Sequence, residues 1–252
     1  MGGQVFNIET DNRSLPAQQF AQRDEGLWAL VPVKALEGAN YRLKKCLGAD
    51  REGFTVAMLK DVLAALCESE VVSHIAVVTG DPRVAAIAKQ GGLVVIEEVE
   101  SKGLNEALEL GRDAIRRMGG QRMVIVPADI PLMTGRETDR TLFELQVQRQ
   151  ARGDGVTGIG PSKDLGGTNF LCIETDRTFP LMFGPGSYRR HQECAIEHGS
   201  QPVLLSSPTI SLDIDEDKDL DDFITFCRSN PEYQKTETFQ FLQEKGYIDH
   251  AG

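Results

Sequence analysis

The stretch LWALVPVK, residues 27–34, is an unbroken apolar run that stops at a lysine. Seven such residues in a row suit a strand buried on both faces, as in the middle of a parallel sheet. The chain after it repeats the theme. Residues 53–67, GFTVAMLKDVLAALC, place Phe54, Met58, Val62, Leu63 and Leu66 on one helical face. HIAVVTG (74–80) is a second apolar strand, and Pro82 suits the first position of a short helix. LVVIEE (93–98) follows, then a helix over 103–118. RMVIVPADIPL (122–132) contains a fourth strand, and a helix covers 136–149. Strand and helix alternating across short connections predict an α/β fold, a mostly parallel sheet with helices on both faces. In such sheets ligands bind beyond the carboxyl ends of the strands, so the residues just after each strand carry the functional information.

The texture changes after residue 150. VTGIGPSKDLGGTNFLCI (156–173) reads as two strands around a glycine-rich turn, and FGPGSYRRHQECAIEHG (183–199) as a turn entering a helix. PTISLDI (208–214) is expected to be the last strand, and 216–228 a helix. Residues 1–26 are polar and aperiodic and form an N-terminal extension. Residues 27–228 form a single domain, and 229–252 a C-terminal extension with an amphipathic helix over 236–245.

Composition excludes several classes. A net charge of −11 argues against nucleic acid as a partner, because counterion displacement needs a basic surface. The five cysteines are scattered without a CxxC pair, which argues against a disulfide framework or a zinc site and fits a reduced, cytoplasmic protein. No apolar run approaches the ~20 residues of a membrane span. The first residues lack the basic and apolar regions of a signal peptide, and Asn7 does not suit a myristoylation motif. GxGxxG after the first strand and GxxxxGK[ST] are both missing, so a nucleotide would need another cradle. An apolar helix face in an acidic α/β chain is compatible with a homodimer.

Several residues are placed for chemistry. Lys34 closes the first strand and Arg42 follows eight residues on. Together they suit a polyphosphate; separately they would be a surface lysine and a helix-face charge. Asp129 follows the fourth strand between Pro127 and Pro131, where a carboxylate suits a hard cation such as Mg²⁺ or caps a loop. Gly166, Gly167, Thr168 and Asn169 form one turn, and Gly184, Gly186 and Ser187 another. Glycines and a helix N-terminus let backbone N–H groups approach an anion, although Ser187 is equally a good N-cap. Arg189, Arg190 and His191 come next, where cations oppose the helix dipole, which suits either a ligand or a carboxylate elsewhere in the fold. His74 and His198 have no comparable setting. In SLDIDEDKDL, Leu212 and Ile214 alternate with Asp213 and Asp215, so both acids share one face and repel unless a cation lies between them. Glu216, Asp217, Asp219 and Asp222 suit the start and solvated face of a helix.

The stretches VPVK (31–34) with Arg42-Leu43, VVTGD (77–81), GLNEAL (103–108), PADIPL (127–132), GGTNFL (166–171), FGPGSYRRH (183–191) and LDID (212–215) occur in that order. As a set they resemble the CofC/FbiD family of guanylyltransferases, which serve coenzyme F420 biosynthesis. The resemblance implies a nucleotidyltransferase fold of the GT-A/Rossmann-like kind, GTP as donor and Mg²⁺ as cofactor. It implies a small phosphorylated acid as acceptor: 2-phospholactate, phosphoenolpyruvate or 3-phosphoglycerate. It implies Lys34 and Arg42 as catalytic cations, and Pro32, Lys34, Thr79, Gly103, Leu104 and Asn105 at the nucleotide. The acceptor would meet Thr168, Asn169, Gly184, Gly186, Ser187 and His191, and the metal Asp129, Asp213 and Asp215. The alternatives are another nucleoside triphosphate or acceptor on the same fold, or a nucleotide-binding homologue without activity. One departure stands out. Family members read AKSRL or AKTRL where this chain reads ANYRL, so Asn40 replaces a lysine and Tyr41 a small hydroxyl residue.

Overall fold

The structure, a computed structural model, describes residues 24–153, 155–176 and 179–248. The polar extension expected over residues 1–26 therefore lies outside the described residues as far as residue 23. Seven strands form one sheet in the order β3-β2-β1-β4-β6-β5-β7. They are β1 (Asp24–Val33), β2 (Val72–Thr79), β3 (Val94–Glu97), β4 (Arg122–Ile125), β5 (Val156–Pro161), β6 (Thr168–Glu174) and β7 (Gln201–Leu204). β6 alone runs against its neighbours; the pairs β1–β2, β1–β4, β2–β3 and β5–β7 are parallel. The helices are α1 (Lys44–Leu47), α2 (Arg51–Glu68), α3 (Pro82–Gln90), α4 (Leu104–Arg117), α5 (Gly135–Arg152), α6 (Ser187–Glu197), α7 (Asp217–Ser229) and α8 (Glu237–Glu244). None of the described helices is long and apolar enough to cross a membrane.

β1 is buried on both faces because alternate side chains feed two cores. Leu27, Ala29, Val31 and Val33 join the layer made with α2, α3 and α5. Trp28 and Leu30 join the layer that includes α4 and α6. α4 crosses β1 closely at Gly111, where a Cβ would come within 2.5 Å of Leu30 Cδ2. The helix expected over 53–67 serves two cores. Val62, Leu63 and Leu66 face the sheet, whereas Phe54 and Met58 enter a third cluster with Leu43, Ile214, Phe223 and Phe239.

One expected strand is absent and another takes its place. Residues 208–214 contain turns and no strand, and the seventh strand is Gln201–Leu204, paired in parallel with β5. Ile210, Leu212 and Ile214 are buried in alternation, which is the pattern of a strand. Their backbone bonds go elsewhere, however: Lys163 N–H donates to Ser211 O, and Ile214 N–H donates to Asp129 O. β7 is short, half-exposed and interrupted by Pro202, so it leaves little periodic signal.

The C-terminal segment packs onto the rest. Asp61 of α2 caps α8, accepting from the N–H groups of Glu237 and Thr238 at 2.8 Å. Phe239, Leu242 and Ile248 are buried in the third cluster. Phe239→Ala is expected to cost about 3–5 kcal/mol. Urea unfolding would measure it, and a loss below about 1 kcal/mol would show that α8 is only loosely attached.

Candidate active site

A cavity of about 490 Å³ opens beyond the carboxyl ends of β1 and β4. Pro32, Lys34, Arg42, Leu104, Asp129 and Asp215, all singled out above, line it, with Phe183 alongside. Its first wall is the loop after β1. Leu36, buried in the core, donates its N–H to Asp81 Oδ2 at 2.9 Å. Arg51 Nη1 donates to Ala39 O at 2.9 Å, and Asn40 Nδ2 to Thr55 Oγ1 at 2.9 Å. Burial alone would raise the Asp81 carboxyl. Hydrogen bonds from the Arg83 side chain and from the N–H groups of Leu36 and Arg83 outweigh it and bring the group down to about 2. Asn40 has φ of 49°, a left-handed conformation that asparagine tolerates better than most residues. The Tyr41 ring is exposed, with Lys44 Nζ 5.4 Å and the Arg51 guanidinium 5.9 Å from its centre. The two departures from the family pattern thus shape this wall.

Asp129 and Asp215 share the cavity with Lys34 and Arg42, and Asp213 lies beside them. The Ile214 N–H···Asp129 O bond, 2.9 Å, brings the 213–215 segment to the end of β4. Asp213 Oδ1 accepts from Asn169 Nδ2 at 3.0 Å, and the same amide donates to Ile210 O. Asp129 Oδ1 is enclosed and has no hydrogen-bond partner. Burial, then the negative fields of Asp215 and Asp213, push the Asp129 carboxyl up to about 8. Burial also raises Asp213 against the bond from Asn169, and raises Asp215 against the cations Arg42 and Lys34. Among the described residues no three His, Cys, Asp or Glu side chains are grouped closely enough to hold a metal outright. Like-charged carboxylates at one place repel unless a cation lies between them, and Mg²⁺ needs only one or two of them plus phosphate oxygens. The unpartnered Oδ1 of Asp129 fits such a hard cation. Three of the remaining acids of the run are occupied elsewhere: Glu216 and Asp219 form a capping box for α7, and Asp222 pairs with Lys163 at 2.7 Å.

Thr168, Asn169 and Ser187 border this region without lining the cavity. β6 is antiparallel, so its first residue, Thr168, lies at the same sheet end as Asp129. Thr168 and Ser187 are buried. Ser187 is not an N-cap, a place taken by Gly186 at φ of 74°; its hydroxyl donates to Thr168 Oγ1 at 3.2 Å. His191 differs from expectation. It is wholly buried, its Nε2 accepts from Met182 N–H at 3.1 Å, and its Nδ1 lies 3.0 Å from Thr168 Oγ1. Nε2 must be unprotonated to accept, so Nδ1 carries the proton and donates to Thr168. His191 therefore stands one side chain behind any ligand. Burial, then the neighbouring Arg190 charge, hold it down to about 4. Arg189 pairs with Glu193, and Arg190 Nη2 donates to Met182 O at 2.9 Å while its Nε is enclosed without a partner.

Three implied nucleotide contacts lie outside the cavity lining. Thr79 is buried with its hydroxyl accepting from Asp81 N–H at 3.0 Å. Gly103 precedes α4 at φ of 132°. Asn105 bonds both backbone groups of Phe183, donating to its O at 3.2 Å and accepting from its N–H at 2.8 Å, and so fixes the turn that carries Gly184. Sequence reading missed Asp81 and Phe183. Asp81 had a signal, an acid directly before a helix-starting proline.

Known proteins resemble this chain in sequence and in fold. The family described as "Guanylyl transferase CofC like" matches residues 27–246. A phosphoenolpyruvate guanylyltransferase of Rubrobacter xylanophilus is 33% identical over 77% of this chain and 91% of its own length. A 2-phospho-L-lactate guanylyltransferase of Methanothermobacter thermautotrophicus is 33% identical over 78% of this chain and 83% of its own. In structure, the chain resembles a protein from Desulfovibrio desulfuricans G20 assigned to the nucleotide-diphospho-sugar transferases. Their TM-score is 0.70 at 19% identity, over 89% of this chain and all of that one, a likeness of fold. The chain belongs to the CofC-like guanylyl transferase family, and is a nucleotidyltransferase.

Proposed function

We propose that this enzyme transfers GMP from GTP to the phosphate of a small phospho-acid, releasing pyrophosphate, as a cytoplasmic step of coenzyme F420 biosynthesis. The observation that carries the reading is the convergence of Lys34, Arg42, Asp129 and Asp215 on one cavity at the sheet end. The relatives named for phosphoenolpyruvate and 2-phospho-L-lactate supply the acceptor class, with 3-phosphoglycerate a third candidate.

An acceptor phosphate has a second pKa of about 6 and is largely ionised at neutral pH. It needs no general base to attack the α-phosphorus of GTP. A new P–O bond forms there, the bond to the bridging oxygen breaks, and pyrophosphate leaves with that electron pair. The obstacle is repulsion between anions. Lys34 and Arg42 would hold the departing pyrophosphate. Asp129 and Asp215, with Asp213 steadied by Asn169, would hold Mg²⁺, which when bound neutralises phosphate charge and orients an in-line displacement. Pro32, Leu104 and Phe183 would provide the apolar wall beside the nucleotide. Thr168 would meet the acceptor. With its oxygen already accepting from His191 and Ser187, its own O–H is left to donate outward.

Incubating the protein with GTP, Mg²⁺ and each of the three acids, and reading products by mass, tests the reading. A guanylylated acid is expected with one or more of them; turnover with CTP or UTP but not GTP would overturn it. Asp129→Asn is expected to abolish nearly all pyrophosphate release while the fold survives, and wild-type turnover would remove the metal assignment. His191 generates a separate expectation. Its folded value of about 4 lies below the ordinary 6.5. Between those values the unfolded chain binds a proton that the folded chain does not, so stability is present above the upper value and is lost as pH falls towards the lower. His191→Gln should shrink the drop in Tm between about pH 7 and about pH 5 and raise the KM for the acceptor more than that for GTP. An unchanged pH slope would show that His191 is not held neutral.

A further inference from the structure

At the other end of the sheet, where β4 begins at Arg122 and β6 ends at Glu174, lies a second cavity of about 760 Å³. It shares no lining residue with the nucleotide cavity. Arg116, Arg122 and Arg149 line it, with the side chains of Gln146 and Gln150 beside them. Arg149 decides its character. It lies in the last turn of α5, is only 6% exposed, and has no hydrogen-bond partner for Nε or Nη2. A guanidinium cannot escape the cost of burial by losing its proton. The negative end of α5 offsets part of the charge, but a dipole does not fill the two N–H donors. Nε–H and Nη2–H point the same way and are the pair that grips both oxygens of one carboxylate or phosphate side-on. Those are the two donors without a partner.

We propose that this cavity binds a small anion through one carboxylate or phosphate group, gripped side-on by Arg149, with Arg116 at the mouth. Glu174 and Asp176 on the same wall limit the positive field, so the ligand carries a single anionic group rather than a polyphosphate. The site is distinct from the donor and acceptor positions and does not depend on how those are assigned.

The test is calorimetric titration with inorganic phosphate and, separately, acetate. It uses the Lys34→Ala/Arg42→Ala protein, in which the cations of the nucleotide cavity are gone. Saturable binding of at least one anion is expected; the anion that binds identifies the group recognised. Adding Arg149→Lys, which keeps the charge but not the fork, should weaken that binding about tenfold or more. Adding Arg116→Gln, at an exposed position, should weaken it about threefold. Absence of saturable binding by both anions overturns the proposal, as does binding indifferent to Arg149→Lys. Should Arg149→Lys fail to fold, indifference to Arg116→Gln has the same force.

Discussion

One backbone hydrogen bond, from Ile214 N–H to Asp129 O, joins the end of the central sheet to a segment more than eighty residues later in the chain. Without it Asp213 and Asp215 would have no reason to stand near Asp129. The bond works because of what flanks it. Leu212 and Ile214 are drawn into the third hydrophobic cluster, which forces the intervening acids outward onto the polar side. Hydrophobic burial therefore supplies the free energy that holds like charges together. The cations of the β1 loop sit across the gap. The loop itself is fastened from below by Asp81 and Arg51, so its own conformation does not rest on the weak exposed charges.

Much of the architecture was legible in the chain. β1, β2 and β4 announce themselves because a strand buried on both faces must be continuously apolar; α3 and α4 carry a clear 3.6-residue period, which α2 blurs by feeding two cores. The region after residue 200 was harder. An alternating apolar pattern reports which side chains are buried and says nothing of where the backbone bonds go, so Ile210, Leu212 and Ile214 imitate a strand without being one. The true strand, Gln201–Leu204, lies at an edge where burial imposes little pattern.

The site shows the same division. Lys34 and Asp129 were legible from position alone, because an α/β sheet exposes its ligands just beyond its strands, whereas Asp215 was singled out from a strand that does not form and reaches the cavity through the bond between Ile214 and Asp129. Residues such as Asn105 and His191 were identified as part of the machinery, and they lie outside the cavity lining. Their polar side chains are consumed by backbone groups of Phe183 and Met182 and by Thr168. Only three-dimensional packing reveals that a histidine has both ring nitrogens engaged. Asp81 shows locally only as the cap of α3; its contact with Leu36 spans 45 residues, which no local spacing reports.

β7 has one more consequence, for how the chain behaves in a crowded solution. It is the last strand of the sheet, so among the described residues its outer edge has no neighbour. A free edge can recruit a strand from another molecule and begin aggregation. Pro202 sits on that four-residue edge and has no N–H to offer, and the strand is too short for a long ladder. The half-hidden strand that was hardest to see from the sequence is therefore well suited to keep separate copies of the molecule from joining sheet to sheet.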